Sequence, residues 1–166
     1  MQRHFHEELE ALKQRLLAMG GLVEDQIRRV MRALIERDDA LAQEVIERDQ
    51  QVNAYDVEVD ETCVGLLALH QPAAGDLRFI TTAMKIVTDL ERMGDQAVNI
   101  AQRVLELNRE PQLKPYIDLP RMAEKAQRMV KESLDAFVAR DTELARKVCA
   151  EDAEVDASRT RCSASS

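Results

Sequence analysis

A chain of 166 residues, 45% apolar and with a net charge of −8, is long enough for one ordinary domain or for two small helical units with a real core. Aromatic residues make up only 3% and tryptophan is absent, so the core must be built from Leu, Val, Ile, Met and Ala, the composition of packed helices. The acidic balance excludes a lysine- and arginine-rich grip on phosphate backbones, and with it nucleic acid as a direct partner.

The opening MQRHFHEELEALKQ has scattered charges and no apolar centre, so it does not read as a secretory signal. No apolar run approaches the roughly 18 residues of a membrane span, and no membrane insertion is expected. Cys63, Cys149 and Cys162 are odd in number and lack CxxC spacing, which fits a reducing cytoplasm.

From Phe5, apolar residues recur at alternating threes and fours through Leu9, Leu12, Leu16, Met19, Val23, Ile27, Val30 and Leu34, which predicts a long amphipathic helix over 5–37. Gly20 and Gly21 interrupt it, as a kink, a close helix contact or a tolerated weak spot. Arg37, Asp38 and Asp39 supply a turn and an N-cap. Leu41, Val45, Val52, Val59, Cys63 and Leu66 then continue the period in a second helix over 40–70, with His70 expected as its C-terminal cap. Pro72 is expected in the first turn of a third helix over 73–107, whose apolar positions are Leu77, Ile80, Met84, Val87, Leu90, Val98, Ala101 and Leu105.

Pro111, Pro115 and Pro120 mark a linker, and beyond it the opening pattern returns. Ala33–Ala54 aligns without a gap on Ala136–Ala157, matching about nine of roughly 22 positions, among them Arg37 with Arg140, Asp38 with Asp141 and Asp49 with Asp152. Helices are therefore expected over 119–139 and 142–157, with no strand. SRTRCSASS, from Ser158, has no apolar period. The expected architecture is all-α: tandem three-helix bundles, a first unit over 1–108, a linker over 109–118 and an incomplete second unit over 119–166. The missing third helix would leave Leu134, Phe137, Val138, Leu144 and Val148 uncovered, which predicts either a poorly ordered second half or burial against another copy in a homodimer or larger assembly.

The chemistry-bearing pattern lies on the third helix. Glu91, Asp95 and Asn99 fall at i, i+4 and i+8 and share one face. Two carboxylates so spaced repel by roughly 0.2 to 0.5 kcal/mol unless a cation sits between them. The ordinary reading is a solvated acidic face paired with Lys85, Arg92 or Arg103; the alternative is a cation site. The second helix adds Asp49, Asn53, Asp56 and Asp60 at i, i+4, i+7 and i+11, and the repeat adds Asp152 with Asp156. Gly94, beside the acids, would let a neighbouring helix or an ion approach.

HQPAAGDLRFITTAMKIVTDLERMGDQAVNIA, from His70 to Ala101, closely resembles the PhoU family of bacterial phosphate-uptake regulators, and the likeness extends from about Phe5 to Ala157. It implies two three-helix bundles in a cytoplasmic, often dimeric protein that represses the phosphate-starvation response. The implied partners are the ATPase subunit of the phosphate importer and its membrane-bound sensor kinase. The resemblance also implies metal ligands at Asp49, Glu91, Asp95, Asp152 and Asp156, with Asn53 standing where the family has an acid. After Ala157 the family continues into a last acidic helix, so the ending reads as truncated or altered.

An all-oxygen ligand set favours magnesium, manganese or iron over zinc. The competing function is a carboxylate-bundle metalloprotein, either a metal store or a metal-dependent enzyme. Ferritin-like bundles use a Glu-x-x-His pair, and His4, His6 and His70 do not supply one. No nucleophile with a matching base and no glycine-rich phosphate loop is present, so an interaction protein rather than an enzyme is expected.

Overall fold

The computed structural model describes residues 2–111 and 118–139. They form four helices, α1 Gln2–Glu36, α2 Asp39–His70, α3 Ala74–Leu107 and α4 Asp118–Ala139. Among the described residues there is no strand, as the periodicity predicts. The expected helix over 142–157, and Asp152 and Asp156 on it, lie outside the described residues.

α1 is the axis. All eight residues of its apolar stripe from Leu9 to Leu34 are buried, and α1 packs against α2, α3 and α4. Turns of a few residues between α1 and α2 and between α2 and α3 make these successive helices antiparallel neighbours. At the first turn Arg37 takes a positive φ of 56°, which reverses the chain, and Asp38 caps α2 by accepting from Leu41 N at 3.1 Å. The Arg37 guanidinium donates to Asn108 Oδ1 and to the carbonyls of Leu107 and Glu110, tying this turn to the end of α3. Asp38→Ala should cost about 1 kcal/mol of stability and Asp38→Asn only a few tenths, read from thermal melts followed by circular dichroism.

At the second turn two expectations are corrected. The residue that ends α2 is Gln71, in the left-handed region at φ 40°. His70 instead turns its ring toward α1, with Nε2 3.3 Å from Glu8 Oε2 and the ring centroid 4.9 Å from that of Phe5. Pro72 lies just before Ala73, the N-cap of α3, because the chain needs extended residues to leave the left-handed turn. The buried line of α3 also differs from the expected one. Leu77 is 43% exposed, and burial follows Phe79, Ile80, Ala83, Val87, Leu90, Gly94, Ala97, Ala101 and Val104. Small residues in this line let α3 sit close to its neighbours, which a scan for large apolar residues passes over.

α4 packs on α1 and α3 in the same core as the first three helices. Leu134 and Phe137, expected to be uncovered, are 5% and 4% exposed. Phe137 stacks on Phe79 at 4.3 Å, and a Cβ at Gly20 would overlap Leu134 Cδ1. Gly20 is therefore the close-contact glycine, while Gly21 has nothing within 4 Å of such a Cβ and is the weak spot. The apolar stripe argued for a homodimer thus loses two of its residues to the chain's own core; the side chains of Val138, Leu144 and Val148 lie outside the described residues.

Candidate functional site

The acidic stripes of α2 and α3 meet where the two helices come closest. A Cβ at Gly94 would lie 3.1 Å from Val52 Cγ1 and 3.3 Å from Asp49 Oδ1, so a glycine lets Val52 and Asp49 press against α3 here without the crowding that even one added carbon would bring. Asp49 Oδ2 accepts from Asn53 Nδ2 at a long 3.5 Å. Its Oδ1 is buried and has no hydrogen-bond partner, a costly state for a carboxylate oxygen.

The antiparallel packing sets Asp49 and Asp56 of α2 against Glu91 and Asp95 of α3, and the effect shows in their acidities. Burial, a hydrogen bond shared with Asp95, and the charges of Asp95, Asp56 and Asp49 push Glu91 up to about 7. Burial and then the Asp95 charge raise Asp49, opposed by Asn53. Burial, Asp60 and Asp95 raise Asp56. Among the described residues none of these carboxylates forms an ion pair: Lys85, Arg92 and Arg103 do not reach Glu91 or Asp95, and Arg29 and Arg48 are engaged by Asp25. The paired acidic face is therefore not what the helices form. What forms is a cluster of like charges in which Asp49, Asp56 and Glu91 hold their protons more tightly than usual.

The donor set is of the kind hard cations take: carboxylate oxygens, one of them orphaned and buried. Yet among the described residues no three acidic, histidine or cysteine side chains close around one point.

The protonated state makes a pH prediction. Glu91 titrates near 7 in the folded chain against 4.5 ordinarily, so the folded state holds a proton that the unfolded state has already lost between these values. Its contribution to stability is present at low pH and is lost as pH rises through 7. The shift sets a ceiling of about 3 kcal/mol, which partial solvent exposure cuts to about 1 kcal/mol. Melting temperature in chelator should therefore fall from pH 5 to pH 8, and Glu91→Gln should flatten the fall.

Asp49, Glu91 and Asp95, singled out from the sequence, come together. Asp56 joins them, and its membership was readable from its seven-residue spacing to Asp49. Asn99 stays exposed at the edge.

A family model for the PhoU domain matches residues 16–104 and 119–165. Three of the similar proteins are named as phosphate-specific transport system accessory protein PhoU or its homolog. That of Aquifex aeolicus is 44% identical over 90% of this chain and 67% of its own length. That of Pseudomonas aeruginosa is 44% identical over 93% and 64%, and that of Escherichia coli 36% identical over 92% and 63%. The chain thus spans about two thirds of the length of these relatives. The crystal structure of PhoU from Pseudomonas aeruginosa superposes with a TM-score of 0.87 at 44% identity, covering 95% of this chain and 76% of that one. That of the phosphate transport system regulatory protein PhoU from Streptococcus pneumoniae gives 0.81 at 31% identity, covering 93% and 72%. With both of its segments matched by one family model and its helices superposing on solved members, this chain belongs to the PhoU family.

Proposed function

We propose that this chain is a cytoplasmic negative regulator of the phosphate-starvation response, acting by contact with the ATPase subunit of a phosphate importer and with its membrane sensor histidine kinase. The observation that carries the reading is the identity to phosphate-transport accessory proteins, sustained at 44% over 93% of the chain. Long exposed helix faces bearing unpaired carboxylates suit docking to other proteins, and no helix among the described residues is long and apolar enough to cross a membrane.

A second reading is favoured by the orphaned Asp49 Oδ1. Asp49, Glu91 and Asp95, with Asp56 in reach, would hold a magnesium, manganese or iron ion, which would neutralise the cluster and fix the spacing of α2 and α3. Asp152 and Asp156 would be its counterparts in the repeat.

The regulatory reading is tested with the purified importer ATPase and the cytoplasmic part of the sensor kinase, each immobilised for interferometry. Micromolar binding to at least one is expected, and restored repression of a phosphate-starvation reporter in a host lacking its own regulator. Absence of binding to both would overturn it. Light scattering on the same sample tests the homodimer.

A further inference from the structure

We propose that the outer edge of α2, where it borders α3, is a docking ridge for a basic amphipathic helix of a partner protein. α2 is apolar on more than its core side. Val45, Val52, Val59, Cys63 and Leu66 point inward, yet Val57 and Val64 are 55% and 51% exposed. Seven residues apart, they stand one above the other, and Asn53 and Asp60 precede them by four in the same row. On α3, Leu77, Met84 and Glu91 also follow at seven-residue spacing. Glu91 is the residue that feels Asp49 and Asp56 of α2, so this side of α3 is the one that borders α2. The apolar row therefore runs along the same border as the carboxylates Asp49, Asp56, Glu91 and Asp95. Single exposed apolar residues are ordinary. Rows at i and i+7 on two adjacent helices are what the anchor residues of a third helix pack into.

Charge identifies the occupant. α2 carries eight carboxylates and a single arginine, Arg48, which is held by Asp25 of α1; α3 adds five carboxylates and four cations, Arg78, Lys85, Arg92 and Arg103, so the two helices together remain strongly acidic. A second copy seated on this edge would set acid against acid, and an anionic lipid surface would be repelled in the same way. A helix with leucine-like residues on one face and lysine or arginine flanking them meets both features at once. The inference rests on this surface alone and stands whether or not the phosphate reading does.

The test uses the full chain and a labelled synthetic peptide of about 18 residues, with leucine at i, i+3, i+4 and i+7 and lysine elsewhere. Controls are a scrambled peptide of the same composition and one with glutamate in place of lysine. Fluorescence anisotropy should show the patterned basic peptide binding, with affinity falling as salt is added. The double variant Val57→Asn/Val64→Asn should bind about tenfold more weakly while keeping its melting curve, since both positions face solvent. Equal binding of the scrambled or the acidic peptide would overturn the proposal, as would wild-type affinity in the double variant or no binding to the wild type. A wild-type dimer that the double variant splits, seen by sedimentation, would assign the edge to a second copy and overturn it too.

Discussion

Gly94→Leu is expected to destabilise the fold by about 2 kcal/mol net, even though leucine is the better helix former. The first added carbon already stands 3.1 Å from Val52 Cγ1 and 3.3 Å from Asp49 Oδ1. Val52 is fully buried, and three further carbons can be housed only by prising α2 from α3. About 1 kcal/mol of gained helix propensity offsets part of the overpacking cost. Gly94→Ala places only that first carbon, so its propensity gain and its crowding should nearly cancel. Gly21→Ala meets nothing within 4 Å and should stabilise by up to about 1 kcal/mol. Chemical denaturation of the three variants checks the order, and Gly94→Leu melting with the wild type would show that α2 and α3 are not held at this point.

Divalent ions should stabilise the wild type by about 2.7 kcal/mol at a hundredfold excess over Kd, because an ion that binds only the folded chain shifts unfolding by RT ln(1 + [L]/Kd). For a chain of this size that is a rise of several degrees in melting temperature. The rise should be larger at pH 8 than at pH 5, where the proton on Glu91 competes with the ion. Glu91→Gln with Asp95→Asn should abolish the ion response and, in chelator, melt at or above the wild type, because a repulsion has gone. Absence of any shift at millimolar manganese or magnesium would end the metal assignment of Asp49, Glu91 and Asp95.

Periodicity made the four described helices legible, because each apolar stripe is long; the Asp38 cap at the first break was readable, whereas the left-handed Gln71 at the second was not. It was less informative where the packing uses small residues. The burial of Ala83, Gly94, Ala97 and Ala101 follows from how near α3 lies to its neighbours, which no single helix encodes. The burial of Leu134 and Phe137 is hidden from the sequence for a related reason. Treating the second unit as separate left their stripe without a partner, whereas Gly20 and Phe79 on the first unit receive it. Of the site, the i, i+4 acids were readable. The pairing of Asp56 with Glu91 across helices, and the lack of a Lys or Arg partner for them among the described residues, required the register of α2 on α3.

The place of α4 also bears on the order in which the molecule assembles. Helices α1 to α3 meet through turns of a few residues, so their contacts close short loops and form early. α4 must return to α1 from far along the chain: Gln127 Nε2 donates to Glu24 O across 103 residues. During synthesis α1 is therefore expected to pack on α2 and α3 before Leu134 reaches Gly20. Native-state hydrogen exchange should accordingly find α4 opening at lower free energy than α1, the last of the four described helices to arrive and the first of them to leave.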